Sequence, residues 1–233
     1  MPVGFRVFLK RELPPAEIVE GYKSLPAANV ADCMGRLSAL SSEIRLLSSP
    51  ESEIMVGVAL TVKARPGDNL MIHKALDMAG PGDIIIVSNE GDRSQALVGE
   101  IIVTYAQHKG IGGFVFDGPI RDIGAISEMS IPVYGTGSTP GGPFKEGPGE
   151  VNVPIACGGI HVEPGDIVLG DKDGVIIVPR RDAPALLEDA RKFSAGDHGK
   201  VLAAANGSLD RSWVDKSLAA KKCEIINEVY GAS

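Results

Sequence analysis

Paired cysteines, long apolar runs and blocks of positive charge are all missing from this chain, and each absence closes off a class of protein. Three cysteines, Cys33, Cys157 and Cys223, occur among 233 residues. They are odd in number and far apart, with no Cys-x-x-Cys and no histidine at zinc-finger spacing, so neither a disulfide framework nor a structural zinc is expected. Cys157, ahead of Gly158-Gly159, is a candidate nucleophile, but a lone cysteine is ordinarily a small apolar core residue and is read so here. No stretch approaches the roughly 18 to 20 apolar residues of a membrane span. The N-terminus, MPVGFRVFLKREL, carries charges inside its short apolar stretch and lacks a small-residue cleavage site, so no signal peptide is expected. The formal charge of −7 is spread with both signs interspersed, which leaves no basic stripe for nucleic acid. The expectation is a soluble, cytoplasmic protein without a membrane or nucleic-acid partner.

What the chain does have is glycine-marked turns leading into apolar strands. Pro-Gly-Asp occurs at Pro66, Pro81 and Pro164, and the second and third copies run into Ile84-Ile85-Ile86-Val87 and Ile167-Val168-Leu169. Proline presets φ and glycine supplies positive φ, so these are turn-strand units. Further strands are predicted at Val58 to Val62, Gly113 to Phe116, Pro132 to Tyr134 and Gly174 to Val178. Helical periodicity covers Ala27 to Gly35, Asn69 to Ala79 and Ser94 to Lys109. The second half is strand- and turn-rich, and the whole chain holds 29 glycines, so a layered α/β fold with a mixed sheet fits better than a regular doubly wound one. The segment from Tyr134 to Val153 is too rich in glycine and proline for regular structure; a loop that long serves function or an interface, or is disordered. After Pro179 the pattern predicts a helix from Ala183 to about Ala195, a break at Gly196, and a second helical tail to Val229. One domain spanning 1–233 is expected, with a core over about 27–180 and a C-terminal helical arm over about 181–233.

The chemistry concentrates in DGPIRD, Asp117 to Asp122, directly after the apolar strand Gly113 to Phe116. Open α/β folds keep ligands at the carboxyl ends of their strands, where Arg121 and Asp122 stand side by side. A hard carboxylate oxygen suits Mg or Mn, and a guanidinium grips a carboxylate through two parallel bonds, so the pair suits a small oxo acid. Taken alone, an Arg-Asp neighbour pair reads as a surface ion pair capping a helix. Upstream, Gly99 inside a predicted helix costs about 1 kcal/mol relative to alanine, unless something approaches the backbone or the helix starts there. A start at Gly99 offers free N–H groups for an anion, with Glu100 near enough to hold a metal-bound water. Taken alone, Glu100 reads as a solvated helix face.

In consistent order from about Val30 to Arg180, the runs GVALTVKARPGDNLMIHKAL, PGDIIIV, ALVGE, GIGGFVFDGPIRD and VNVPIACGGIHVEPGDIVLGDKDGVIIVPR resemble the family named for the regulator of ribonuclease E activity A. That family includes class II pyruvate aldolases that cleave 4-hydroxy-4-methyl-2-oxoglutarate and 4-carboxy-4-hydroxy-2-oxoadipate. The resemblance implies an αββα sandwich of the swivelling-domain type, assembled as homotrimers or homohexamers. It implies Mg2+ or Mn2+ on Asp122, pyruvate on Arg121, and the backbone amides of Gly99 to Ile102, Ile101 included, around the pyruvate carboxylate. It further implies an acid twenty-one positions before that arginine, here Glu100, which orients metal-bound water where the aldolases can carry Asp. By offset past Val178-Pro179-Arg180, Asp197 of a neighbouring subunit is the matching candidate for a further acid near the metal waters. The expected activity is carbon-carbon cleavage of short 4-hydroxy-2-oxo acids to pyruvate, with oxaloacetate decarboxylation as a side activity through the same enolate. The alternative within the family is a non-catalytic, ribonuclease-regulating binding protein, against which Glu100 argues.

Rival chemistries have little to stand on. Nothing marks Lys63, Lys74 or Lys109 as a desolvated Schiff-base lysine. His73 follows Asp68-Asn69 in a segment that carries the resemblance and is a candidate to face the pocket, and His161 sits in an alternating strand; both read as hydrogen-bonded structural residues and stay outside the catalytic set. Asp171 and Asp173 in GDKDGV read as a hairpin turn rather than a metal loop. No glycine-rich loop after a strand, followed by an acidic ribose partner, is present to receive a methyl donor.

Overall fold

A computed structural model describes residues 3–231. The elements are β1 (Phe5–Val7), α1 (Ala16–Tyr22), α2 (Ala27–Cys33), β2 (Arg45–Leu46), β3 (Met55–Ala64), α3 (Leu70–Met78), β4 (Asp83–Ser88), α4 (Glu100–Lys109), β5 (Gly113–Phe116) and α5 (Ile123–Ile126). They continue with β6 (Val133–Gly135), β7 (Gly149–Val151), β8 (Ile155–Cys157), β9 (Ile160–Val162), β10 (Ile167–Asp171), β11 (Gly174–Val178), α6 (Ala183–Ala205) and α7 (Trp213–Ala220). The main sheet runs β1-β7-β3-β4-β5-β6-β2, and β10 joins it through β3 while pairing with β11; β8 and β9 form a separate hairpin.

Strand β3 organises the sheet. Along one edge it pairs in parallel with β4, Val58 to Asp83 through Lys63 to Ser88. Its other edge serves two strands in succession, β10 along Met55 to Val58 and β7 along Val62 to Ala64, both antiparallel. β4, β5 and β6 are mutually parallel, so the sheet is mixed as expected.

Apolar runs without polar alternation arise because the central strands are covered on both faces. In β4, Ile85 and Val87 join a cluster with Ile72 and Leu76 of α3 and Val103 of α4, whereas Ile84 and Ile86 join another with Val168 and Ile177 of β10 and β11. Phe114 and Phe116 of β5 stack at 5.2 Å on the α3–α4 side. The opposite face of β10 and β11, with Leu169 and Ile176, packs against Tyr22 of α1, Val30 of α2 and Leu187 of α6 in a third cluster. Strand direction thus fixes three apolar layers from one period-two pattern.

The chain divides into two compact units, 1–194 and 195–233. In the second, none of the described residues is buried. Two expectations for this region are corrected. α6 continues through Gly196 to Ala205 without a break, because a helical glycine costs only about 1 kcal/mol relative to alanine, too little to end the helix by itself. The second tail helix ends at Ala220 instead of Val229; Lys222 takes a positive φ of 57° immediately beyond it. The Tyr134–Val153 segment is also not wholly irregular, since β6 begins it and β7 closes it. Among the described residues, no helix is long and apolar enough to cross a membrane.

Candidate active site

α4 starts at Glu100, with Gly99 as its N-cap residue, so the predicted start at Gly99 replaces the longer helix from Ser94. Gly99 has φ −143° and ψ −170°, extended backbone open to any residue, so glycine is needed for space rather than for conformation. A Cβ here would lie 2.3 Å from Asp122 Oδ2 and 3.0 Å from Arg121 Nε. The turn after β5 therefore presses its Arg-Asp pair directly on the start of α4.

Asp122 sits in the left-handed region, φ 57° and ψ 38°, a conformation aspartate tolerates better than most residues. It precedes the short helix α5 but makes no side-chain cap bond there. Instead its Oδ2 accepts the backbone N–H of Glu100 at 3.0 Å, so it caps α4 across the fold. The neighbouring Arg121 is held by its own N–H, which donates to Val98 O at 2.9 Å. Its Nε stands 3.6 Å from Asp122 Oδ2, too far for a hydrogen bond, and is buried without a partner.

Around this pair opens a cleft of about 220 Å³, lined by Gly99, Ile101 and Ile102 of the α4 start, Arg121 and Asp122, and three polar residues brought from elsewhere. Asn69 donates through Nδ2 to Leu97 O at 2.9 Å, while its Oδ1 is buried and unpartnered. His73, one turn on in α3, has its pKa lowered by burial and then by the nearby Lys145 charge, which keeps the imidazole neutral at neutral pH. Lys145 lies on the glycine-rich loop, anchored where Asp68 Oδ2 accepts the N–H groups of Glu146 at 2.7 Å and Gly147 at 2.8 Å.

The structure thus brings Gly99, Ile101, Ile102, Arg121 and Asp122 together as expected. The Glu100 side chain is exposed and does not line the cleft; its backbone N–H is what meets Asp122. Asp197 lies in α6 within the second unit, 3.8 Å from Lys200 Nζ. Sequence reasoning set His73 aside and did not single out Asn69 or Lys145 for the site. Their one shared signal was position within the GDN…H run and the glycine-rich loop, and only the fold shows that these segments meet.

The remaining candidates resolve to structure. Cys157 is fully buried, its Sγ faces Val87 O at 3.5 Å, and burial pushes its thiol pKa well up, so it is no nucleophile at neutral pH. Lys109 donates to the carbonyls of Leu76 and Asp77 at a helix end. Asp171 accepts the N–H groups of Ala27 and Asp173 at the β10–β11 turn. Exposed His161 stands 3.8 Å from Glu163.

The donor set of the cleft is sparse. Among the described residues no group of three His, Cys, Asp or Glu side chains converges, which is unlike a zinc cage. Asp122, half exposed with one oxygen taken up by Glu100 N–H, suits a hard ion that keeps several waters and shares the rest of its shell with a ligand, as Mg2+ does.

The sequence model of the family described as RraA-like, Aldolase/RraA, matches residues 27–177, which contain every cleft residue named above. The chain belongs to the RraA-like family. Within it, a Halalkalibacterium halodurans protein named "Putative 4-hydroxy-4-methyl-2-oxoglutarate aldolase" is 35% identical over 203 residues, covering 87% of this chain and 96% of its own length. A Thermus thermophilus protein named 4-hydroxy-4-methyl-2-oxoglutarate aldolase is 36% identical over 112 residues, covering 48% of this chain and 68% of that one. Among solved structures, Streptomyces coelicolor RraAS2, described as an unusual member of the RNase ES inhibitor RraA protein family, superimposes with a TM-score of 0.72 at 26% identity, over 81% of this chain and 98% of that one. The mixed α/β fold is the one these RraA-like structures share.

Proposed function

We propose that this RraA-like chain is a divalent-metal-dependent pyruvate aldolase that cleaves short, multiply carboxylated 4-hydroxy-2-oxo acids of the 4-hydroxy-4-methyl-2-oxoglutarate type. The observation that carries this reading is the buried, unpartnered Arg121 Nε pressed beside Asp122 on the first turn of α4. A buried donor left unpaired costs about 1 to 3 kcal/mol, a cost that a bound anion removes. The aldolase names carried by relatives agree with it.

Asp122 would hold Mg2+ or Mn2+, which supplies Lewis acidity toward the carboxylate and ketone oxygens of a 2-oxo acid. The first-turn amides at Gly99 and Ile101 orient the substrate carboxylate, and Lys145 offers a second cation for a further carboxylate. The 4-hydroxyl proton passes to a base, the C3–C4 bond breaks, the carbonyl product departs, and the pyruvate enolate is protonated at C3. Arg121 stabilises the negative charge that develops on the enolate oxygen. Neutral His73 and the Glu100 carboxylate at the helix start are the groups near the cleft able to handle the proton. Oxaloacetate reaches the same enolate by losing carbon dioxide, so decarboxylation accompanies cleavage.

This reading includes assembly as homotrimers or homohexamers of αββα swivelling-type protomers in the cytoplasm, with Asp197 of a neighbouring subunit near the ion. A ribonuclease-regulating role would leave the orphan donor of Arg121 without a purpose. The test is pyruvate release from a panel of 2-oxo acids with Mg, with Mn and with chelator. Metal-dependent release supports the proposal, and full activity of metal-stripped protein in chelator overturns it.

A further inference from the structure

We infer that the N-terminal strand β1 is a positioning element for the cleft wall that carries Lys145, an inference that rests on the cleft being the catalytic site. β1 is three residues long and none is fully buried, with only Val7 packing against the α3–α4-side cluster. Its attachments all point to one place. It pairs in parallel with β7, Phe5 to Gly149, Arg6 to Glu150 and Val7 to Val151. Phe8 N–H then donates to Val151 O at 3.1 Å, and Asn152 Nδ2 donates to Phe8 O at 2.8 Å.

The side chains repeat that pattern. Arg6 Nε donates to Glu150, whose carboxylate is buried with 5% of the residue exposed. The Phe5 ring packs on Gly147, where a Cβ would meet it at 3.2 Å, with Leu70 of α3 close by at 3.6 Å. Gly147 also accepts Arg65 Nη1 at 3.2 Å through its carbonyl.

The loop from Gly142 to Glu150 is therefore gripped on two sides. Asp68 holds the amides of Glu146 and Gly147 from the α3 side, and β1 holds Gly147 to Val151 from the other. Lys145, Pro143 and Gly142, which line the cleft, lie just ahead of those anchors, with Phe144 among them bonded through its N–H to Gly67 O at 2.8 Å and through its carbonyl to Asn69 N–H at 2.9 Å. β1 lies ahead of the residues that match the family model, so its half of this clamp comes from chain outside the matched segment, while Asp68 and β7 lie within it. Removing Arg6 leaves Glu150 buried with Lys63, its cross-strand neighbour, as the remaining facing cation. The strand edge that fixes the loop then loosens, and the cost falls on substrate affinity rather than on bond cleavage.

Arg6→Ala, Phe5→Ala and Arg6→Lys in the full chain separate these effects. For the two alanine variants KM for the cleaved 2-oxo acid should rise about tenfold with kcat within about twofold, whereas Arg6→Lys stays near wild type. Amide exchange at Glu146 and Gly147, read by mass spectrometry, should accelerate by about tenfold or more in the alanine variants. Unchanged exchange at these amides overturns the inference, and so does a loss of turnover that follows the folded fraction at constant KM. A wild-type protein inactive on every 2-oxo acid would sink the functional reading alone, because the exchange measurement still decides whether β1 positions the loop.

Discussion

Two arginines near carboxylates, Arg121 with Asp122 next to it in sequence and Arg180 with Glu12, Glu163 and Asp166 brought to it by the fold, differ completely in what the structure does with them. Arg180 is saturated: Nη1 donates to Glu163 at 2.7 Å, Nη2 to Glu12 at 3.1 Å, and its backbone N–H to Asp166 at 3.0 Å. Its side chain is 14% exposed, and it ties the segment before α1 to the turn ahead of β10. Arg121 has a carboxylate next door in sequence yet gains no hydrogen bond from it, and its Nε is buried without a partner. An arginine whose donors are used up is a staple. Arg121 keeps one buried Nε without a hydrogen-bond partner on a side chain that is otherwise 42% exposed, so it stays open to a ligand, a distinction the local sequence does not reveal.

Substitutions at the two arginines should therefore separate cleanly. The largest effect is expected for Arg121→Lys, which keeps charge but loses the planar fork; turnover should fall by about 100-fold or more, equivalent to about 2.7 to 4 kcal/mol in the transition state. The urea midpoint should hardly move, and a mutant with a near wild-type rate would return Arg121 to the staple class. Arg180→Ala should do the reverse, lowering unfolding free energy by about 2 kcal/mol in urea titration with kcat/KM preserved. A smaller effect is expected for Gly99→Ala. The added methyl must push Asp122 and Arg121 aside, and kcat/KM should drop about tenfold while the fold persists.

The smallest effect is one of pH. Arg180 holds the Glu163 carboxyl below its ordinary value of 4.5. A carboxylate with a depressed folded pKa contributes stability that is present above the unfolded pKa and is lost as pH falls through the folded one. The stability gap between wild type and Arg180→Ala should thus narrow below about pH 4.5, as the folded Glu163 takes up its proton. A gap that stays constant down to acid unfolding would show that Glu163 is not the partner that matters.

Much of the scaffold was legible because covering both faces of a strand leaves a mark in sequence. Ile84 to Val87, Gly113 to Phe116 and Ile167 to Leu169 announce themselves as uninterrupted apolar runs. Strands β1, β2 and β7 do not, since two or three residues carry no period and are fixed by their neighbours. At the site, Arg121, Asp122 and the glycine at the helix start were readable from local chemistry. Asn69 and Lys145 were not, and His73 was weighed for the pocket and then set aside, because their relevance depends on α3 and a distant loop arriving at the same opening. The orphan atoms that mark the cleft, Arg121 Nε and Asn69 Oδ1, are invisible to any pattern because they are defined by what fails to reach them.

The doubly occupied edge of β3 has a consequence for the order in which the molecule assembles. Val58 meets Asp83 after a short excursion of chain, whereas Ala64 must find Gly149 and Val58 must find Ile167 across excursions several times longer. Loop closure grows only slowly more costly with length, but contacts between distant segments slow the search that forms them. The β3–β4 ladder can therefore template early, and the β7 and β10 ladders close onto a strand already in place. Lys145 lies just ahead of β7, so contact order leads us to expect the Lys145 side of the cleft to form after its floor.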